Sequence, residues 1–535
     1  MKRSTCAALV ALLAALLMGG AASAQVTAKS PAPVFRSMPE YADWVQANHK
    51  APFDRDGVRL PEGAAALIMK LRNLPAAALA TSATWHNTKI NRDRDPWPKA
   101  EVGMAVDPVS GNVVVMTNDF RENWDHEFYH VSTNGGTAWS DDSMVGGSDP
   151  NTGYVQLTFQ SDPGVAFDSK GHSFLSAITG NSIADFYDLN DNYANFDTQI
   201  IVTQGYNHGT YTNLAPIVVD TQPCRYFPTV SVCPAALDKP LITVDNVAGS
   251  PHNGTIYVYY TVFCNDKPCP YGSGNIPAFG SAIVESHSAG PGSPFSAPQI
   301  VSGTLFNEQF SYMVVDSHGV PHMFFDDFTS STGVNMYMSS LTSTGWVVTS
   351  SAVATFLPAF TATSNWGFRL SGTFAPGCGI AGDTAYCAFS ANQVGSGPFE
   401  GGLSVYLAAV NTHTGASKIN RVNNDPFNNS ADHIFPWATT KADGSVYVGF
   451  YDDRNDPFLT KVMYWVAKST DGGKTFPTQM EVSDTAFNPC VGFPGCGFFG
   501  DYTQIVAGPN GVVHAAWSDT RDGASMQVYG QAITW

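Results

Sequence analysis

The stretch Lys468-Ser-Thr-Asp-Gly-Gly-Lys-Thr-Phe476 decides the fold, because it joins two runs of β-forming residues through a tight turn. Asp471 can hydrogen-bond the neighbouring backbone, and the glycine pair that follows accepts the positive φ that such turns need. The apolar run Val462–Val466 ends just before the turn, and Phe476 begins the next one. The turn therefore connects β-strands, and units of the same kind recur along the chain.

Six strand–turn–strand units are clear after residue 85. In each, an apolar strand leads to a turn and a second apolar strand follows, which in several units ends in Asp or Asp-x-Arg. The turns lie near positions 107, 168, 245, 316, 443 and 510, spaced roughly 60 to 80 residues apart except for one double interval. A weaker unit fills that interval, with strands at 368–374 and 385–389 around a Cys378/Cys387 loop. Four short strands fit each unit, and radial repetition of such sheets is a β-propeller.

The sequence thus predicts an all-β propeller of four-stranded blades, seven in number, with six as the alternative. The chain ends after the apolar run Met526–Ile533, which would be the third strand of the last blade. We expect Thr84–Ile90, just before the first unit, to supply the missing outer strand. Such a closure would remove the free sheet edges of the ring.

The residues before the propeller differ from the rest. Residues 1–24 have a basic start, an apolar run and the small-residue end Ala22-Ser-Ala24, which predict a signal peptide. Residues 25–84 contain two segments that begin with Pro and an acidic residue, which predicts a short helical extension. The propeller is then expected over residues 85–535. We predict a secreted or periplasmic protein, without membrane insertion because no later segment is long and apolar enough.

Charge and cysteine content narrow the function classes. The formal net charge of −18 disfavours nucleic acid as a partner. The chain has nine cysteines, and all but Cys6 fall into close pairs, which favours disulfides in an oxidising compartment. A metal site is the alternative, although the Cys-x-x-Cys spacing of zinc sites is missing. The pairs are Cys224/Cys233, Cys264/Cys269, Cys378/Cys387 and Cys490/Cys496.

The opening turn resembles a known repeat. Ser469-x-Asp-x-Gly-x-Thr-Phe476 is similar to the Asp-box, or BNR repeat, of the sialidase superfamily. Ser132-x-Asn-x-Gly-x-Ala-Trp139 has the same form with Asn for Asp, and Ser286–Phe295 is a looser version. Phe499–Tyr502 and Val513–Arg521 are similar to segments of bacterial secreted proteins with such boxes. The resemblance covers 85–535 and implies a propeller whose boxes join third and fourth strands, away from the active site.

The resemblance also implies an activity. Sialidases hold the substrate carboxylate with three arginines, and they use a tyrosine activated by glutamate as nucleophile and an aspartate as acid/base. One of those arginines belongs to a Phe-Arg-Ile-Pro motif on the first blade, which this chain lacks in its first unit. Phe368-Arg369-Leu370 is a partial match on the fifth unit. The family likeness therefore implies a sialidase-like glycoside hydrolase with an altered arginine set.

Carboxylates and arginines gather where second strands end, at positions that could open onto one face of the ring. Arginine forks suit a sugar carboxylate or hydroxyls, and two carboxylates in different environments can serve as acid and base. The candidate catalytic residues are Asp119, Asp327, Asp453, Asp519, Glu308 and Tyr502. The candidate substrate-binding residues are Arg121, Arg369, Arg454 and Arg521. The alternative is that these Asp and Arg residues form ion pairs that tie neighbouring blades together.

We therefore expect an exported glycoside hydrolase, acting as a monomer on a carbohydrate at the axial face of the propeller. The alternatives are a non-catalytic propeller that binds glycan or protein, and a polysaccharide lyase. No cofactor is expected. A structural Ca²⁺ site is an open alternative in the oxygen-rich loops 452–456 and 181–191.

Overall fold

The computed structural model describes residues 85–534, apart from these gaps: 94–95, 122–124, 141–142, 145–156, 183–193, 208–209, 212–216, 227–230, 233–234, 266, 273, 331–332, 358–365, 367, 369, 371–376, 398–399, 401, 428, 494–495 and 497. The predicted signal peptide and helical extension lie outside the described residues. No helix in the described ranges could cross a membrane.

Seven antiparallel sheets form the blades of a propeller, which confirms the predicted fold class and the count of seven. The first strand of each blade packs on the first strand of the next blade, and that of the seventh packs on that of the first. These first strands therefore line the axis, and the later strands lie successively further out. Apolar and aromatic side chains fill the spaces between adjacent blades.

The strand bounds are as follows, from the axis outward. Blade one consists of Lys99–Val106, Val113–Asp119, His126–Ser132 and Ser143–Met144. Blade two consists of Leu157–Phe167, His172–Ser182, Ala194–Asn207, Ile217–Tyr226 and Ser231–Val232, with Thr210–Tyr211 beside its third strand. Blade three consists of Ala235–Val244, Ile256–Cys264, Ser281–Ser288 and Gln299–Ile300, and a separate hairpin is formed by Cys269–Tyr271 and Gly274–Ile276. The fourth is Glu308–Val315, Pro321–Asp327, Val334–Thr342, Ala354–Leu357 and Gln393–Val394, with Gly345–Val348 beside the third strand. Blade five consists of Gly377–Ala381, Thr384–Ala391, Ser404–Asn411 and Ser417–Arg421. Blade six consists of His433–Thr440, Val446–Asp452, Met463–Ser469 and Thr478–Glu481. Blade seven consists of Gln504–Ala507, Val513–Asp519, Gln527–Ile533 and Thr88–Lys89.

The ring closes through the strand before the first blade, as the sequence predicts. Thr88 pairs with Gly530 and Lys89 with Tyr529, so Thr88–Lys89 is the outermost strand of the seventh blade. Ile90 extends the pairing through its backbone N–H, which donates to the carbonyl of Val528 at 2.8 Å. The last blade thus contains both early and late parts of the chain, and its outer edge is covered.

The Asp-box turn has the geometry that its residues suggest. The Ser469 hydroxyl donates to Asp471 Oδ1 at 2.7 Å and accepts from the backbone N–H of Gly473 at 2.9 Å. Asp471 Oδ1 also accepts from the N–H of Thr475 at 3.0 Å, and Phe476 is buried between blades. The box at Ser132 repeats the serine contacts. Both boxes join the third and fourth strands of their blades, as predicted.

The fifth blade differs in detail from the prediction. Its first strand is Gly377–Ala381 rather than 368–374, and Cys378 lies directly opposite Cys387 on adjacent strands rather than in a loop. The pairs Cys264/Cys269, Cys378/Cys387 and Cys490/Cys496 are disulfides, which confirms neighbour pairing for three of the four. Cys233 lies outside the described residues. Three disulfides indicate an oxidising, extracytoplasmic compartment.

Candidate functional site

The two faces of the propeller differ in what they carry. Because the strands of each blade are antiparallel, the ends of second strands and the starts of first strands share one face, here called the upper face. The Asp-boxes and the turns between first and second strands share the opposite face, here called the Asp-box face. All the candidate residues that the structure describes therefore belong to the upper face.

A bulge interrupts the first strand of five blades near the upper face. The strand register slips there, and a non-glycine residue adopts positive φ, between 51° and 62°. Such residues rarely enter this backbone region, and bulges re-aim side chains. The five residues are Glu101, Asp162, Lys239, Phe310 and Phe435. Repeated strain of this kind at one level of the ring marks a candidate functional site.

Three of the bulge residues form an ion cluster at the axis. Lys239 Nζ lies 3.1 Å from Glu101 Oε1, 2.8 Å from Asp162 Oδ1 and 2.8 Å from Asp501 Oδ2. Its ammonium also lies 5.3 Å from the ring centroid of Tyr502. These contacts bring together blades three, one, two and seven, which can meet only near the centre of the ring. We call these five residues the axial cluster.

Burial and charge set the protonation of the cluster. Burial opposes the charge on Lys239, but the carboxylates of Asp162, Asp501 and Glu101 outweigh it and raise the pKa of the lysine well above its usual value. Burial also opposes the charge on Asp162, yet Lys239 lowers the pKa of that carboxyl. The pair is therefore ionised at neutral pH.

A second layer of polar groups fixes the carboxylates. Asn118 Nδ2 donates to Glu101 Oε2 at 2.8 Å and to the hydroxyl of Ser161 at 3.1 Å. The amide oxygen of Asn118 accepts from the backbone N–H of Asp162 at 3.0 Å. The N–H of Asp501 donates to Glu101 Oε1 at 3.1 Å. Asn118, on the second strand of blade one, thus holds the bulges of blades one and two in register with each other.

Two further carboxyls lie between blades one and two. Burial raises the pKa of both Asp125 and Glu127 well above the usual range, and the neighbouring carboxylates add to the effect. Both carboxyl oxygens of Glu127 and the hydroxyl of Tyr502 are fully buried, and none of them has a hydrogen-bond partner among the residues that the structure describes. Burial, followed by the charges of Glu101 and Asp162, raises the pKa of Tyr502. Unpaired buried polar groups are costly, so they need a reason to be kept.

The other side of the axis is aromatic. Phe435 packs at centroid distances of 6.4 Å from both Phe368 and Phe499, and Tyr451 lies 5.1 Å from Phe499. Trp366 stacks on Phe368 at 5.6 Å. The side chains of Phe368, Phe435, Phe499 and Tyr451 are all buried and belong to the same core cluster.

The predicted Asp-x-Arg pairs are held locally, one in each of three blades. The backbone N–H of Arg121 donates to Asp119 Oδ1 at 2.9 Å, and its Nε donates to Asp119 Oδ2 at 2.9 Å. The guanidinium lies 3.9 Å from the ring centroid of Phe128 on the third strand. The same backbone contact, ion pair and aromatic partner recur for Arg454 with Asp452 and Trp465, and for Arg521 with Asp519 and Tyr529.

Each of these arginines also reaches the segment that enters its own blade. Arg121 pairs with Asp93 at 2.9 Å, Arg454 Nη1 donates to Asn424 at 2.8 Å, and Arg521 pairs with Asp484. The three therefore lie in three separate places on the upper face, each two strands out from the axis. These contacts are compatible with the alternative that the pairs tie neighbouring blades together, and the predicted roles in substrate binding stay predictions. Arg369 lies outside the described residues.

The other predicted carboxylates occupy two further places. Glu308 and Asp327 are paired across the first and second strands of blade four. Asp453 Oδ1 accepts from the N–H of Asp432 at 2.8 Å, and burial followed by the charge of Asp432 raises the pKa of Asp453. In the predicted calcium loop, Asp456 Oδ2 accepts from the N–H groups of Thr460 and Lys461 at 2.8 Å each. The other predicted calcium loop lies largely outside the described residues.

Glu308 yields a pH-dependent prediction. Burial, only partly offset by the N–H of Asn307, raises its pKa to about 9. Glu308 ionises near pH 4.5 in the unfolded chain but stays protonated up to about pH 9 in the folded protein. The stability of wild type therefore falls as the pH rises from about 4.5 to about 9. We expect Glu308→Gln to remove this loss, by at most about 1.4 kcal/mol per pH unit. Urea unfolding across that pH range should show the free energy of unfolding of the variant rising relative to that of wild type as the pH increases. A difference that does not change with pH would contradict a protonated Glu308 carboxyl in the folded protein.

Tyr502 is a candidate predicted from the sequence, whereas the other four residues of the axial cluster are not. Glu101, Asp162 and Lys239 each precede the apolar part of a first strand, at the same place in three consecutive units. Two of them precede proline, in Asp162-Pro and Lys239-Pro, and the same pattern recurs at Phe435-Pro. Aligning the units on this position reveals a charged residue in blades one to three and an aromatic one in blades four and six. That alignment is the signal that could have found the site.

Comparison with known proteins gives only distant fold likenesses. No protein-family model matches the sequence, and no curated protein does. Among solved structures, the chain resembles the Hadza microbial sialidase Hz136, with 12% identity over 79% of this chain and 76% of that one and a TM-score of 0.40. It also resembles a leech intramolecular trans-sialidase, with 9% identity over 74% and 69% and a TM-score of 0.38. A Penicillium chrysogenum α-L-arabinanase shares 10% identity over 84% and 98%, with a TM-score of 0.40.

Proposed function

We propose that this protein is a carbohydrate-active propeller that hydrolyses glycosidic bonds at the axial cluster on its upper face. One observation carries the proposal. The buried phenol of Tyr502 and the buried carboxyl of Glu127 lie beside carboxylates contributed by three blades, and neither group makes a hydrogen bond to any residue that the structure describes. Titratable groups with perturbed pKa values that converge from several blades are candidates for a functional site.

The protonation states suit the chemistry of glycoside cleavage. That reaction needs a proton donor for the leaving oxygen and an ionised group on the other side of the sugar. Carboxyls whose environments push their pKa values apart provide these roles. Glu127, with its pKa raised by burial, is the proposed acid. Asp162, kept ionised by Lys239, is the proposed base.

Tyr502 is the proposed nucleophile, in keeping with the sialidase resemblance. Its raised pKa means that the phenol must lose its proton to a neighbouring group as it attacks. The carboxylates of Glu101 and Asp162 lie close enough to influence its charge and are the candidates to accept that proton. Two sets of roles stay predictions. They are catalysis by Asp119, Asp327, Asp453, Asp519 and Glu308, and substrate binding by Arg121, Arg369, Arg454 and Arg521.

Tyr502→Phe tests the proposal. It removes one oxygen that makes no hydrogen bond to the described residues, so we expect unchanged folding and a loss of at least about 100-fold in kcat. The assay is release of product from a panel of aryl glycosides and plant and animal oligosaccharides. Tyr386→Phe, at a buried tyrosine near the Asp-box face, is the matched control and should keep full activity. Equal activity of both variants and wild type would refute a role for Tyr502.

A non-catalytic glycan-binding propeller is the second candidate. The observation that favours it is Lys239, which occupies three carboxylates at once and lowers their availability to substrate. In that case the same panel gives saturable binding by calorimetry and no product with wild type. A lyase would instead release products with a new carbon–carbon double bond, which are detected by their ultraviolet absorbance.

A further inference from the structure

Two histidines and two aspartates meet on the Asp-box face, far from the axial cluster. Asp316 and His318 lie in the turn between the first two strands of blade four. Asp383 lies in the corresponding turn of blade five, and His413 in the turn between that blade's third and fourth strands. One nitrogen or oxygen atom from each residue falls within 4.8 Å of all the others. The group therefore brings together three turns from two adjacent blades.

Two distances within the group match the separation of ligand atoms around a small metal ion. His318 Nδ1 lies 3.3 Å from Asp383 Oδ1, and His413 Nε2 lies 3.3 Å from Asp383 Oδ2. Ligand atoms at zinc bond lengths of about 2.0–2.2 Å in a tetrahedron are separated by about 3.3 Å. The two imidazole rings meet edge to face, with centroids 5.2 Å apart and planes at 75°. Both ring nitrogens thus converge on the same carboxylate.

Neighbouring groups hold the aspartates in place. The Ser317 hydroxyl donates to Asp383 Oδ1 at 2.6 Å. Asp316 Oδ1 accepts from the N–H of His318 at 2.8 Å, and Asp316 Oδ2 is paired with His322 Nε2 at 3.0 Å. His322 is buried and in turn contacts Ser340. Such outer contacts are what orient ligands in metal sites.

We propose that His318, His413 and Asp383, with Asp316 as the fourth ligand, bind a zinc-type transition metal ion that clamps blade four to blade five. Two imidazoles with carboxylate oxygens suit Zn²⁺ and its neighbours, whereas Ca²⁺ and Mg²⁺ prefer oxygen alone. The side chains of His318 and His413 are 61% and 49% exposed, so an ion can enter from solvent. The role is structural, because the site lies on the face opposite the axial cluster.

The test uses the full-length protein, stripped with chelator and dialysed against Zn²⁺. We expect wild type to retain one more zinc per chain than His318→Ala or His413→Ala, and each variant to lose at least tenfold in affinity. Zinc should also raise the urea midpoint of wild type but not of these variants. Both histidines are exposed, so the variants should fold without metal.

His252→Ala is the matched control, since His252 is exposed in the corresponding turn of blade three. It should bind zinc as wild type does, and excess Ca²⁺ should not displace the ion. Equal zinc content and equal affinity in wild type and in the His318 and His413 variants would overturn the proposal.

Discussion

Lys239→Met is expected to destabilise the propeller by about 3–5 kcal/mol, the largest effect on stability of any single substitution considered for this chain. Methionine fills much of the same space but leaves Glu101, Asp162 and Asp501 buried around an apolar side chain. Removing one partner of a buried ion cluster lowers the free energy of unfolding by more than the intact cluster adds to it, because the remaining charges stay desolvated. The measurement is urea unfolding at neutral pH.

The matched control is Lys418→Met, at an exposed lysine on the outermost strand of blade five, which should change stability by less than about 0.5 kcal/mol. The deficit of Lys239→Met should shrink between about pH 8 and about pH 5, because carboxyls without the lysine take up protons more readily. A deficit no larger than that of the control, or one independent of pH, would show that Lys239 does not neutralise the axial carboxylates.

Glu127→Gln is expected to lower kcat by about 10²–10⁴, the contribution typical of a general acid. Glutamine keeps the shape of the side chain and cannot donate a carboxyl proton. The raised pKa of Glu127 means that wild type holds this proton well above the usual glutamate range. The wild-type rate should therefore fall at the alkaline end as Glu127 ionises, and the variant should lose that limb of its pH profile.

Folding provides the check on this result. Glu127 is buried, so the variant should be at least as stable as wild type at neutral pH, because a neutral amide replaces a carboxyl that burial disfavours when charged. Glu481→Gln is the control, at a glutamate of raised pKa on the outer strand of blade six, and should leave kcat unchanged. If the Glu127→Gln variant stays active and its rate still falls at alkaline pH as in wild type, a group other than Glu127 is the general acid.

The architecture was predictable because it depends on local sequence features that repeat along the chain. A turn such as Asp443-Gly444 or Asn510-Gly511 sets strand ends by its own backbone preferences, so the spacing of turns gave the blades. The Asp-box at Ser469–Phe476 likewise depends on hydrogen bonds within a few residues. Closure by Thr88–Lys89 followed from the missing strand of the last unit. The weakest unit, in blade five, is where the predicted strand differed.

The axial cluster was not predictable in the same way, because its contacts join distant parts of the chain. Lys239 meets Glu101 and Asp501 only once the ring has closed, and bulges aim these side chains at the axis against the ordinary alternation of a strand. Asp-x-Arg repeats were visible in the sequence for the opposite reason. Asp119 and Arg121 satisfy each other two residues apart, which makes the motif conspicuous whether or not it touches a substrate.

Cleavage of glycosidic bonds by the axial cluster together with Glu127 is tested most directly by product release from the glycoside panel, with wild type measured beside Glu127→Gln. We expect sugar release by the wild-type protein and a loss of at least about 100-fold in the equally folded variant. No product from wild type with any glycoside, or equal release by both proteins, would contradict it.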